Sequence, residues 1–325
     1  MNAEMKTIKI SQITEFFEKV RMMFSSRHIF LNWLNASLMY LLAKTINRID
    51  CIKVTCNNGA SLYLDPVIYG RIVRGYHYGF LKTIECRDDR LELNGIRINL
   101  GNIYKGGMEI YDLGCARFVR YRDSILEIFI KQPYSMVDVK NKTVVDIGAY
   151  IGDSSIYFIV KGAERVIAVE PHREAFHEML KNIRLNNMQG KVIPVHGALV
   201  SRKLANKYGS IEIGNISILN TIGIYYSPLV QYSFENTKYK VPLITLEHLI
   251  KHFSLEPEVL KMDCEGCEYD VILNDYEYVS FFKELIVEYH YGHRPLLEKL
   301  SNDYRCKAIS EGKGAVGVLY CISKR

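Results

Sequence analysis

One tryptophan, eight prolines and no apolar run long enough to cross a bilayer set the first limits on this 325-residue chain. The longest apolar stretch, His28 to Ala43, is about 16 residues and is broken by Asn32, Asn35 and Ser37, whereas a spanning helix needs about 20. The first 20 residues have no apolar core or small-residue cleavage site; they mix Glu4, Lys6, Lys9, Glu15 and Glu18. A soluble, intracellular, cytoplasmic protein is therefore expected. With 22 glycines and 48% apolar residues, collagenous, low-complexity and disordered classes are excluded.

No dense Lys/Arg run of the kind that grips nucleic acid is present. Charge is nevertheless uneven. Residues 1–143 hold 21 Lys+Arg against 14 Asp+Glu, while the remainder holds 21 against 22. A basic face can attract nucleic acid, anionic lipid or an acidic sugar, or simply be a solvated surface. The eight cysteines, at 51, 56, 86, 115, 264, 267, 306 and 321, are expected to be reduced thiols. Cys264-x-x-Cys267 has the spacing of a zinc or redox half-site, but no second pair at comparable spacing lies near it in sequence, and no metal site is expected.

The length suggests two domains. Residues 10–24 and 28–48 carry apolar side chains at helical spacing. Alternating runs then flank Asn57-Asn58-Gly59 and Asn94-Gly95, and an Asn-Gly pair between alternating runs predicts a hairpin because both turn residues need positive φ. Residues 1–140 thus read as a helical-plus-hairpin unit, whose helices leave room for homo-oligomerisation. From Thr143 the pattern becomes strand, helix, strand, helix: 143–148, 154–161, 165–170, a helix presenting Phe176, Met179, Leu180 and Ile183 on one face, then 191–196, with Pro194 suited to an edge strand. Strands at 259–263, 285–290, 304–309 and 316–322 complete an α/β domain over 141–325 with an open, doubly wound sheet. Residues 201–245 form an insertion with strand-like runs at 210–213 and 239–244, expected to be ordered over a site.

In such sheets the ligand sits beyond the strand carboxyl ends where strand order reverses. Three acidic strand ends meet that description: Asp146-Ile-Gly148-Ala149-Tyr-Ile-Gly152-Asp153, Glu170-Pro171, and Asp263-Cys-Glu265-Gly-Cys-Glu268. The glycine spacing is G-x-x-x-G, not the G-x-G-x-x-G of a pyrophosphate cradle. An acidic residue 24 positions after Asp146 can accept both ribose hydroxyls of an adenosine. A ligand with an ammonium, a sulfonium and a ribose but no phosphate answers this set: S-adenosylmethionine. The carboxylates also have a plainer reading, as caps of the helices that follow them.

The segments VVDIGAYIGDSSIYF, VIAVEP, the Asn-Ile-x-Leu-Asn of 182–186, VHGAL, ITLEHL, LKMDCEGCEYDVI and VEYH resemble, in matching order over about 140–290, the FkbM-type S-adenosylmethionine-dependent methyltransferases. The resemblance implies a Rossmann-like class I methyltransferase sheet, mostly parallel with an antiparallel last strand. It implies S-adenosylmethionine as cofactor and transfer to a hydroxyl oxygen of a saccharide, glycan or small metabolite. By position, Asp146, Gly148, Ala149, Gly152 and Asp153 would line the methionine side, Glu170 and Pro171 the ribose, and His196 to Ala198 the adenine; Asp263 would close the pocket.

A hydroxyl acceptor needs a base, and His290, just past the fifth strand, is the first candidate because its ordinary pKa lies near neutral. Glu265 is the second and Glu268 the third. A metal-assisted version would gather Asp263, Glu265 and Glu288 around Mg²⁺. Tyr225 and Tyr226 in the insertion suit either packing or sugar stacking. Two other functions compete: a nucleic-acid methyltransferase, against which stands the Asp263-Cys-Glu265 strand end, and a cofactor-binding scaffold without turnover.

Overall fold

Thr143-Val-Val-Asp-Ile147 is buried along its whole length, which a strand achieves only when both faces of its sheet are covered. In the computed structural model, which describes residues 16–46, 49–87, 90–99, 110–208, 210–214, 238–256, 258–310 and 316–325, this strand is central. The chain divides into two compact units, Met1–Met136 and Val137–Arg325.

The first unit begins with a helix over 16–25 (α1) and a 3₁₀ turn, followed by α2 (Trp33–Ile46). Strands β1 (Ile52–Thr55) and β2 (Ser61–Leu64) pair antiparallel. Helix α3 (Pro66–His77), absent from the sequence reading, follows Asp65, whose Oδ1 accepts the Val67 N–H at 2.5 Å while Pro66 occupies the first turn. That Asp-Pro pair is a helix-start signal and was available in the sequence. A meander of β3 (Ile84–Arg87), β4 (Arg90–Leu93) and β5 (Ile96–Asn99) comes next, then β6 (Tyr111–Asp112), β7 (Arg117–Phe118) and α4 (Asp123–Leu126). The β4–β5 turn is the predicted Asn94-Gly95, with φ of 48° and 81°.

The second unit holds β8 (Thr143–Ile147), α5 (Asp153–Val160), β9 (Arg165–Glu170), α6 (Arg173–Leu185), β10 (Val192–His196), β11 (Ala198–Leu199), α7 (Arg202–Tyr208), β12 (Ser210–Gly214), β13 (Lys238–Ile244), α8 (Leu246–Phe253), β14 (Val259–Met262), α9 (Cys267–Asn274), α10 (Tyr276–Val279), β15 (Glu284–Tyr289), α11 (Arg294–Leu300), β16 (Tyr304–Ser310) and β17 (Gly317–Ser323). Its seven-stranded sheet has the order β10-β9-β8-β14-β15-β17-β16. All strands run parallel except β17, which is antiparallel to both neighbours. This is the Rossmann-like methyltransferase arrangement. Pro194 does lie on an edge strand, β10, where the missing N–H costs no ladder bond. One sheet face packs Val145, Ile147, Leu260, Leu285 and Val287 against Val271, Ile272, Leu296 and Leu300 of the helices. The insertion contributes α7 and the antiparallel β12–β13 pair, and β13 adds in parallel to β11. Tyr225 and Tyr226 lie outside the described residues.

The cysteines depart from expectation. Cys56 is joined to Cys86, Cys264 to Cys267 and Cys306 to Cys321, leaving Cys51 and Cys115 free. Sequence separation concealed the last pairing: Cys306 and Cys321, 15 residues apart, face each other across the β16–β17 ladder. Burial pushes the remaining Cys115 thiol up to about 12, so it stays protonated.

Gly95 has open space around a would-be Cβ, so only its left-handed backbone demands glycine. Gly95→Ala is expected to cost about 1 kcal/mol, read as an earlier chemical-denaturation midpoint of the first unit's transition with the second unit's transition unchanged.

Candidate active site

Strand order reverses at β8, which has β9 on one side and β14 on the other. The crevice beyond the carboxyl ends of β8 and β14 is therefore fixed by topology. The β8–β14 register places Lys261 opposite Asp146. Both are buried, at 1% and 0% side-chain exposure, and Lys261 Nζ lies 2.9 Å from Asp146 Oδ1. Asp146 Oδ2 accepts from the Ser154 and Ser155 hydroxyls at 2.7 and 2.6 Å, so β8 is tied to the first turn of α5. Lys261 Nζ also donates to the Gly148 and Ile147 carbonyls at 3.0 and 3.3 Å. Burial works against the Lys261 charge, but Asp146 and Asp263 outweigh it and its pKa is raised. Sequence reasoning passed over this lysine, although a charged residue inside an apolar strand run was the available signal.

The Gly148–Gly152 loop is held from several sides. Gly148 N and Ala149 N both donate to the Val169 carbonyl at 3.0 Å. Asn182, fully buried on α6, donates to the Ile151 carbonyl at 2.9 Å. A Cβ on Gly148 would stand 1.7 Å from the Asp263 carbonyl oxygen, so bare backbone is obligatory where the β8 and β14 loops meet. Gly152 caps α5, and Asp153, 2% exposed, opens that helix with Oδ1 accepting the Ser154 N–H.

At the end of β9, Glu170 is 5% exposed. Its Oε2 accepts the Tyr150 N–H at 2.8 Å and its Oε1 the His172 N–H at 2.6 Å. Burial raises its pKa to about 7 against the pull of those two amides and Lys261. Beside it, His196 Nε2 lies 3.1 Å from the Pro171 carbonyl, and its ring packs on Phe176 with centroids 4.8 Å apart. Burial lowers the His196 pKa. Ala198 is buried in β11.

The third strand end gathers the catalytic candidates. His290 Nε2 lies 3.3 Å from Glu265 Oε2, and His290 Nδ1 lies 3.4 Å from Glu268 Oε1. Glu268 is fully buried and its Oε2 accepts the Gly266 N–H at 2.9 Å. Burial pushes the imidazole pKa down, but Glu268, Glu265, Asp263 and Glu288 lift it to about 9. Burial raises Glu265 to about 7, restrained by the imidazolium beside it. At neutral pH the histidine carries a proton and Glu265 is poised to exchange one. Ligand-competent atoms of Asp263, Glu265 and His290 come within 4.8 Å of one another, and Glu288 is outside that cluster. A cavity of about 730 Å³ lined by Tyr40, Lys44, Arg71 and Arg74 belongs to the first unit and is bordered by none of these strand ends.

Residues 146–305 match the family described as the methyltransferase FkbM domain. The chain carries an FkbM-family methyltransferase domain. The methyl donor of this family is S-adenosylmethionine, and the residues present fit it: a bare-backbone loop at Gly148 and a buried carboxylate at the end of β9. No curated protein matches the chain. Among solved structures, it is similar to TrmK of M. capricolum in complex with S-adenosylhomocysteine (12% identity, TM-score 0.36), the alignment covering 57% of this chain and 65% of that one. It is also similar to an O-methyltransferase from Bacillus cereus (13%, TM-score 0.36, 56% and 74% covered) and to a putative RNA methyltransferase from Pyrococcus horikoshii (14%, TM-score 0.35, 62% and 83% covered).

Removing Lys261 strands a carboxylate with no exposed area. Lys261→Ala in this methyltransferase domain is expected to lose about 3–5 kcal/mol of stability, measured by denaturant unfolding, whereas Lys261→Ala with Asp146→Ala should recover part of that loss.

Proposed function

We propose that this FkbM-type enzyme methylates a hydroxyl oxygen of a saccharide, glycan or small metabolite. The observation that carries the reading is the Glu265–His290–Glu268 array at the carboxyl ends of β14 and β15, beside the Gly148 loop. S-adenosylmethionine supplies the methyl group, already activated on a sulfonium. What remains for the protein is to align the acceptor oxygen and receive its proton; alignment alone is worth up to about 7–11 kcal/mol and a positioned base adds about 10²–10⁴-fold.

In this reading Gly148, Ala149, Gly152 and Asp153 border the amino-acid end of the donor. Glu170, with Pro171, holds the ribose, and His196 with Ala198 lies on the adenine side. Asp146, with no exposed area and both oxygens engaged, acts through the loop that it and Lys261 fix. Asp263, with 27% of its side chain exposed, closes the crevice. Glu265 receives the acceptor's proton. His290, fixed through Nδ1 by Glu268, keeps Glu265 ionised near neutrality. Carboxylates clustered at the acceptor side disfavour a phosphate-rich substrate.

Glu170→Ala should weaken S-adenosylhomocysteine binding about 10- to 150-fold, equivalent to about 1.5–3 kcal/mol; unchanged affinity by calorimetry removes the ribose role. Methyl release assayed with glycan, small-alcohol and RNA pools tests the acceptor class, and turnover with RNA alone overturns the hydroxyl-metabolite reading.

The pH dependence has a definite sign. Glu265 must be ionised to accept a proton, so the rate should rise as pH passes about 7. Glu265→Gln should erase that limb. His290→Ala removes a cation that restrains the Glu265 pKa, so the limb should move to higher pH with cofactor affinity intact. If His290 were itself the base, the limb would lie near 9 and His290→Ala would abolish it.

A further inference from the structure

The first unit carries a surface that methyl transfer leaves unused. Ten of the nineteen exposed large apolar side chains among the described residues fall within residues 16–46. On α2, Leu31 just before the helix and Leu34, Leu38 and Leu42 within it are 43–62% exposed, while Ala36, Ser37 and Ala43 face inward. At 100° per residue the exposed apolar side chains, from Leu41 round to Met39, fall within an arc of roughly 160° that also carries Asn35 and Thr45. That is wider than the two-position seam of a coiled coil. Soluble surfaces rarely leave so much contiguous apolar area uncovered unless it meets a partner or a membrane.

Charge chooses between these. Residues 16–46 contain four Lys/Arg and one Asp/Glu. Lys19, Arg21, Arg27 and Lys44 are all exposed. The one acid, Glu18, lies 3.0 Å from His77 Nε2 and is engaged there. Two copies meeting through this face would bring cations together with only Glu18, already engaged by His77, to answer them. A negatively charged lipid surface answers both the apolar stripe and the cations. The 14 residues of α2 make a rod of roughly 21 Å, short of the ~30 Å hydrocarbon core. No described helix is long and apolar enough to cross a membrane.

We propose that the α1–α2 face docks the protein on the surface of an anionic lipid bilayer, α2 lying in the interface plane. This inference stands independently of the acceptor. The test is co-sedimentation of the full chain with phosphatidylcholine vesicles and with vesicles in which phosphatidylglycerol replaces part of the phosphatidylcholine. The expected result is pelleting with the anionic vesicles that falls as salt is raised, weakens about fivefold per charge lost in Lys44→Ala, and disappears in Leu34→Glu/Leu38→Glu/Leu42→Glu. These three positions are solvent-exposed, and retained S-adenosylhomocysteine binding with an unchanged circular dichroism spectrum shows that the variant is folded. Lys44→Ala and the salt series decide the matter if the triple variant does not fold. Pelleting that is absent, insensitive to salt, or unchanged by Lys44→Ala overturns the proposal. So does a dimer by light scattering that the leucine variant dissolves while vesicles fail to bind.

Discussion

A single buried ion pair organises the catalytic unit. Lys261 on β14 and Asp146 on β8 face each other across adjacent parallel strands, with no exposed area on the carboxylate. Such a pair adds little net stability over an apolar substitute, because desolvating both charges consumes most of the attraction. Its value here is positional. The same ammonium grips the Ile147 and Gly148 carbonyls, and the same carboxylate grips the first turn of α5. The loop between strand and helix is thereby fixed from below, at the point where strand order reverses.

The rest of the crevice is built outward from that pin. Gly148 lets the β8 and β14 loops touch through backbone alone. Glu170 spends its two oxygens on amides of both neighbouring loops, and Asn182 holds the Ile151 carbonyl from the helix side. At the next strand end the carboxylates are so crowded that they create their own cation. Asp263, Glu265, Glu268 and Glu288 keep His290 protonated to about 9, and the imidazolium in turn limits how far burial can raise Glu265. Positive charge at that cluster is thus supplied by a side chain that can also move a proton.

Much of this was legible beforehand because parallel strands buried on both faces leave an apolar run, and three of these runs ended in an acid. Asp146, Glu170 and Asp263 were recognisable as strand ends, Pro194 as an edge residue, and Asn94-Gly95 as a turn that needs positive φ at both positions. Lys261 was missed because periodicity assigns an inward-facing position to an apolar side chain; only the register with Asp146 makes a lysine tolerable there. Helix α3 was missed although Asp65-Pro66 announces its start. The cysteine pairing was misjudged because Cys306 and Cys321 are brought opposite each other by a ladder, not by their spacing.

The sequence by itself determined the order of the seven strands in the α/β segment and the family of that segment, since these follow from local periodicity and short motifs. Tertiary structure alone decided the protonation order at the third strand end. A histidine's ordinary pKa is a property of the residue, but its actual one depends on how many carboxylates the fold crowds around it and how little water it leaves them. It also decided that the apolar stripe of α2 faces outward, because a stripe has no direction until the chain shows which side of the helix it covers.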